Sequence, residues 1–69
     1  MDKLVGTVKW FDDVKGYGFI VNEAGENVFF HHGRLEGDDI KPLTAGSKVE
    51  FFQIWSDIGW QALEVAILP

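Results

Sequence analysis

Rings recur at alternate positions in two short strand-like segments of this chain, Lys15-Gly16-Tyr17-Gly18-Phe19-Ile20 and Val28-Phe29-Phe30-His31-His32. On a β-strand alternate side chains share a face, so Tyr17 and Phe19 point one way while Gly18 and Ile20 point the other. Phe29 and His31 repeat the arrangement, with Val28 and Phe30 opposite. A strand that buries Ile20 must therefore turn Phe19 toward solvent or a second layer, and 69 residues leave no obvious second layer. Pairing the two segments predicts a flat patch of four π-faces made by Tyr17, Phe19, Phe29 and His31, a surface suited to stacked bases.

Turn signals divide the rest of the chain into strands. Residues 5–11 are rich in β-branched and aromatic side chains and end at the loop Asp12-Asp13-Val14-Lys15-Gly16. Residues 17–22 and 27–32 form a hairpin around Glu23-Ala24-Gly25-Glu26, where Gly25 supplies the positive φ of a tight turn. Residues 48–55 and 60–68 form a second hairpin around Ser56-Asp57-Ile58-Gly59, with Leu63, Val65 and Ile67 alternating. Between the hairpins, Gly33 to Ser47 carries Gly37, Pro42 and Gly46 and reads as a long irregular connection. Five strands without a helix, too few for a two-sheet sandwich, close best into a small barrel. The expected core is Val8, Ile20, Val28, Phe30, Val49, Phe51, Val65 and Ile67. Strict alternation would bury Trp10 with Val8, so exposing Trp10 beside Lys9 calls for a bulge or bend at residues 9–11.

Composition narrows the function classes. Hydrophobic residues at 46% and charged residues at 25% are those of a folded globular domain. Without cysteine there is neither a disulfide framework nor a thiolate metal site. No apolar run has the length of a membrane span, and Met1-Asp2-Lys3-Leu4-Val5 does not open like a signal peptide. A cytoplasmic location is the expectation. The net charge of −5 argues against a broad basic surface. The excess acid lies beyond residue 20, however: Lys3, Lys9 and Lys15 balance Asp2, Asp12 and Asp13 in the first 20 residues, and the remainder holds three positive and eight negative side chains. Nucleic-acid binding by this chain would rest on stacking more than on neutralising phosphates.

The segments Lys9-Trp10-Phe11, Lys15-Gly16-Tyr17-Gly18-Phe19-Ile20 and Val28-Phe29-Phe30-His31, in that order and spacing, resemble the bacterial cold-shock proteins and the cold-shock domain generally. The resemblance runs from Gly6 to Ala62 and implies a single all-β domain over residues 1–69, a five-stranded antiparallel Greek-key barrel of the oligonucleotide-binding type. It implies binding of single-stranded RNA and DNA and work as an RNA chaperone or as a regulator of transcription or translation. Carried onto this sequence, the family's contact residues are Lys9, Trp10, Lys15, Tyr17, Phe19, Phe29, His31 and His32, with Gln61 as a polar contact to a base edge. The chain departs from the family pattern at His32, Ile40 and Ile58, which reduces stacking area and positive charge. Trp55 and Trp60, flanking the last hairpin, offer a further ring.

Other readings are weaker. His31 and His32 point to opposite faces of a strand and do not chelate one ion, so no metal is expected. The Asp12-Asp13 and Asp38-Asp39 pairs have the look of solvated loop acids, and no nucleophile or phosphate-cradling loop accompanies them. No enzyme activity, cofactor, small-molecule substrate or membrane partner is expected. The rival function is a protein-interaction module using the same exposed rings, which salt would weaken less than it weakens nucleic-acid binding. A monomer is expected, with a weak or strand-exchanged dimer through the Phe52 and Ile54 region as the alternative.

Overall fold

The structure, a computed structural model, describes residues 3–12, 14–31 and 44–69. His32, Ile40, Asp13, Asp38, Asp39 and most of the long connection lie outside the described residues. Five strands, β1 (Leu4–Asp12), β2 (Tyr17–Asn22), β3 (Asn27–His31), β4 (Lys48–Ser56) and β5 (Gly59–Ile67), appear where alternation and turn residues place them, within a residue or so at each end. They close into one barrel in the order β1-β2-β3-β5-β4. Every pairing is antiparallel except that β3 meets β5 in parallel, at Phe29 opposite Gln61.

The barrel interior is filled by Val8, Ile20, Val28, Phe30, Val49, Phe51, Ala62 and Val65, with Phe11 and Trp60 packed against it. Each large apolar side chain removed from water here contributes about 1.5–3 kcal/mol before entropy is counted. Seven of these eight are expected core residues. Ile67 is not in the core: it pairs with Val49 but ends β5 at the barrel rim and is 39% exposed. Ala62 takes a core place instead, because β5 does not alternate strictly. Between the pairs Glu50–Ala66 and Phe52–Leu63 the register slips by one residue on β5, and Glu64 adopts a φ of 52°. That bulge sets Ala62 and Val65 both inward and leaves Leu63 half-buried.

A second slip, between Val8 and Trp10 on β1, is the bulge that an exposed Trp10 calls for near residues 9–11. It directs β1 across β2 at Gly18, the partner of Phe11. A Cβ placed on Gly18 would sit 2.3 Å from the Trp10 carbonyl oxygen and 2.9 Å from the Phe11 Cα. No side chain fits there. At Gly25 the opposite holds: nothing crowds the position, but φ is 82° and the β2–β3 turn needs it.

The turn is clasped by Asn22, a buried polar residue. Its Oδ1 accepts from the backbone N–H groups of Ala24 (3.1 Å) and Glu26 (2.9 Å). Its Nδ2 donates to Gln53 Oε1 on β4 (2.9 Å) and to Glu26 Oε1 (3.2 Å). Burying this amide is tolerable because all of these bonds are made.

Gly18→Ala is expected to lower stability by about 3 kcal/mol, since the obstruction is backbone and cannot swing away. Gly25→Ala is expected to cost about 1 kcal/mol through its left-handed φ alone. Urea unfolding midpoints separate the two, and equal midpoints would show that β1 yields at Gly18.

Candidate nucleic-acid interface

The β1 bulge builds the site. Val8 points inward, the extra residue lets Lys9 and Trp10 both face out, and Phe11 turns back to stack on Phe30 with centroids 5.5 Å apart and planes 16° off parallel. Trp10 is 40% exposed. On β2 and β3, alternation holds as expected: Gly18, Ile20, Val28 and Phe30 are buried, while Tyr17, Phe19 and Phe29 are half-buried and His31 is exposed.

Register then lines these residues up around the barrel wall. Trp10 lies opposite Phe19, Phe19 opposite Phe29, Phe29 opposite Gln61, and Gln61 opposite Ile54. Tyr17 lies opposite His31. The rings touch across and along the diagonals of this ladder: Trp10 meets Tyr17 and Phe19 at 5.5 Å each, and Phe29 meets Tyr17 and Phe19 at 5.7 Å each.

The patch is not flat. Trp10 and Tyr17 are inclined by 73°, Trp10 and Phe19 by 55°, Phe19 and Phe29 by 73°, and only Tyr17 and Phe29 approach a common plane, at 31°. Ring quadrupoles favour such edge-to-face contacts when rings are packed this closely. The surface is therefore corrugated, with separate ring faces each able to take one flat group. Trp10, expected among the contact residues, joins the β2 and β3 rings in one cluster.

Charge around the rings is arranged by the β1–β2 turn. Asp12 Oδ1 accepts the backbone N–H groups of Val14 and Lys15, each at 3.0 Å, and the Gly16 N–H donates to the Asp12 carbonyl at 2.7 Å. Asp12 is thus a turn-forming residue that fixes the base of the exposed Lys15. Lys9 is exposed on the bulge beside Trp10. The outward positions of β2 and β3, namely Tyr17, Phe19, Val21, Asn27, Phe29 and His31, include no acid. Glu23 and Glu26 lie in the turn at the far end of these strands.

Lys9, Trp10, Lys15, Tyr17, Phe19, Phe29, His31 and Gln61 are thus gathered on one side of the barrel. His32 lies outside the described residues. Sequence reading passed over two neighbours. Asn27 shares the outward phase of Phe29, which period-two phasing alone could have shown. Ile54 extends the row past Gln61, which follows once the second hairpin is registered around Ser56 and Gly59. Trp55 and Trp60 pair with each other apart from these rings, on the phase of Gln53 and Ala62 and opposite to that of Ile54 and Gln61.

A family model described as the 'Cold-shock' DNA-binding domain matches residues 4–68. The major cold shock protein CspA of Pseudomonas aeruginosa is 44% identical over 63 residues, which are 91% of this chain and 91% of that protein. Cold shock protein 1 of Lactiplantibacillus plantarum is 50% identical over 60 residues, 87% of this chain and 91% of its own. Among solved structures, drosophila Unr CSD456 superposes with a TM-score of 0.78 at 26% identity, covering 97% of this chain and 27% of that one.

Adjacent phenylalanines on β3 separate surface from core. Phe30→Ala should cost about 3–5 kcal/mol, the range for emptying a buried aromatic site. Phe29→Ala should cost about 1 kcal/mol, the worth of its ring contacts. Thermal unfolding of the two variants tests the assignment, and similar losses would mean that Phe29 is also a core residue.

Proposed function

The chain belongs to the cold-shock DNA-binding domain family, and from that membership and the ring cluster we propose that it binds single-stranded RNA and DNA in extended form. All 69 residues are read as one such domain. The observation that carries the proposal is the continuous row Trp10–Phe19–Phe29–Gln61, flanked by Tyr17 and His31 and by the exposed amines of Lys9 and Lys15.

The chemistry follows from the surface. Inclined rings present separate faces, so each base must leave its neighbours to stack; a duplex, whose base faces are already covered, cannot supply them. Each ring–base stack is worth about 1–3 kcal/mol and tolerates any base. Lys9 and Lys15 sit beside the rings, where a backbone threading past Trp10 and Tyr17 would place phosphates. Gln61, side by side with Phe29, offers an amide donor and acceptor to the edge of the base stacked there. His32 is included in the proposed contacts because it stands at the family's position for a further ring.

Binding of this kind needs no energy source. A protein that holds only the unpaired form shifts an RNA folding equilibrium by mass action, and that is the basis for the proposed role as an RNA chaperone or regulator of transcription or translation. Binding rather than catalysis is the proposed function, and Asp12, opposite Tyr17, serves to form its turn. A cytoplasmic site of action belongs to the same proposal.

Titration with a short oligothymidine, read by tryptophan fluorescence at several salt concentrations, tests it. Phe19→Ala should weaken binding about 5- to 150-fold, the equivalent of about 1–3 kcal/mol. With two lysines at phosphates, log affinity should fall against log salt with a slope of about −1.4. A duplex of the same length should not compete. Failure to bind at low salt, or equal binding of the duplex, would overturn the reading.

A further inference from the structure

At the barrel end remote from Lys15, the β2–β3 turn meets the β4–β5 hairpin, and two indoles form a corner. Trp55 and Trp60 are cross-strand partners with centroids 5.0 Å apart and planes at 78°. Trp60 is fixed: it packs against the core, and its Nε1–H donates to Glu26 Oε2 at 3.1 Å, while Glu26 Oε1 accepts from the buried Asn22 at 3.2 Å. Trp55 leans on this anchored ring and is 70% exposed. A tryptophan held on one side and open on the other is a preorganised surface with no partner inside the described residues except Trp60.

Glu26 also borders a cleft of about 260 Å³ beside this corner, lined among others by Leu4, Asn22, Glu23 and Gln53. Its apolar wall is Leu4, itself 40% exposed. Its polar floor is already satisfied, because Asn22 Nδ2 donates to Gln53 Oε1. What remains open to a ligand is aliphatic surface at one side and, at the rim, the carboxylate of Glu23 beside the negative charge of Glu26, whose oxygens already accept from Asn22 and Trp60. Asp57 adds a third exposed acid at the hairpin tip. Between Lys15 and Lys48 no described residue is a lysine or arginine. Of the described cations near this end, Lys48 shares a neighbouring cleft with Glu23 but donates its Nζ to Thr7 Oγ1 (3.2 Å), and Lys3 is drawn to Glu50 (4.0 Å) and to the Phe52 ring (5.5 Å).

We propose that this end docks a basic segment of a partner protein. A long cationic side chain lies with its stem along Leu4 and its head at Glu23 and Glu26, and a neighbouring arginine stacks its guanidinium plane on the open face of Trp55. Charge complementarity chooses the occupant. A nucleic acid would bring phosphates against three carboxylates, which lie in the turns beyond the ends of the strands. A second copy of this chain would bring acid to acid in a molecule of net charge −5. The proposal is independent of nucleic-acid binding and leaves the ring row free, so both ligands can be held together.

The three tryptophan indole N–H resonances of isotope-labelled protein report the outcome, with a hexa-arginine peptide as probe, a glycine-serine hexapeptide as control and physiological ionic strength. The peptide should move the Trp55 and Trp60 signals saturably and leave Trp10 in place. Trp55→Ala should weaken the peptide at least fivefold and Glu23→Gln at least threefold, with oligothymidine affinity unchanged within twofold and both ligands bound at once. An unchanged Trp10 signal and native backbone amide resonances away from the corner in free Trp55→Ala protein verify its fold. Peptide affinity unaltered by Trp55→Ala would reduce the effect to general charge attraction and overturn the proposal. Movement of the Trp55 signal by oligothymidine, or by concentrating the free protein, would assign the corner to nucleic acid or to self-association and overturn it equally.

Discussion

Between Val8 and Trp10 the ladder joining β1 to β2 slips by one residue, and the interior of the barrel explains why the molecule depends on it. That interior is already filled by Phe30, Phe51 and the aliphatic residues around them, so a Trp10 following Val8 inward would overpack it. The extra residue sends Trp10 out, beside Phe19, and brings Phe11 down onto Phe30. The bent strand then crosses β2 so closely that only a glycine can lie beneath it, which is the place of Gly18. Bulge, glycine and exposed tryptophan are one device: remove any of them and the ring row loses its first member.

Ring contacts and charge separate the barrel into regions of different chemistry. The rings hold each other at 5.5–5.7 Å in largely inclined pairs, so the surface is rigid before any ligand arrives and little side-chain entropy is lost on binding. Lys9 and Lys15 border that surface, whereas Glu23, Glu26 and Asp57 lie at the other end. A strongly acidic chain can in this way keep a locally non-acidic wall for a polyanion. The cost is weak long-range attraction, which places the weight of binding on stacking.

Alternation made most of this readable from residues alone. Strands β2 and β3 obey it, and Tyr17, Phe19, Phe29, Ile20, Val28 and Phe30 fall on the faces expected of them. The β1 bulge was legible as a condition, since strict alternation buries Trp10 with Val8 and only a bulge exposes it beside Lys9. The β5 bulge was not: Leu63, Val65 and Ile67 alternate cleanly, and nothing in Glu64 announces a φ of 52°. Only the pairing with β4 reveals that the strand changes phase there, which admits Ala62 to the core. Ring inclination was equally hidden, since strand periodicity sets the side of a ring and packing sets its tilt.

The polar clamp at the far end bears on the ring row as well. β3 and β5 meet in parallel at the single pair Phe29–Gln61, and one rung is a weak constraint on where Gln61 stands. What holds β5 there is one residue away: Trp60 is tied through Glu26 to Asn22, and Asn22 to Gln53 on β4. These bonds join both hairpins across the barrel end and thereby fix the height of Gln61 against Phe29. Asn22 lies in β2, two strands from Gln61 in the barrel order, yet it governs whether an amide stands beside the ring that would carry a base.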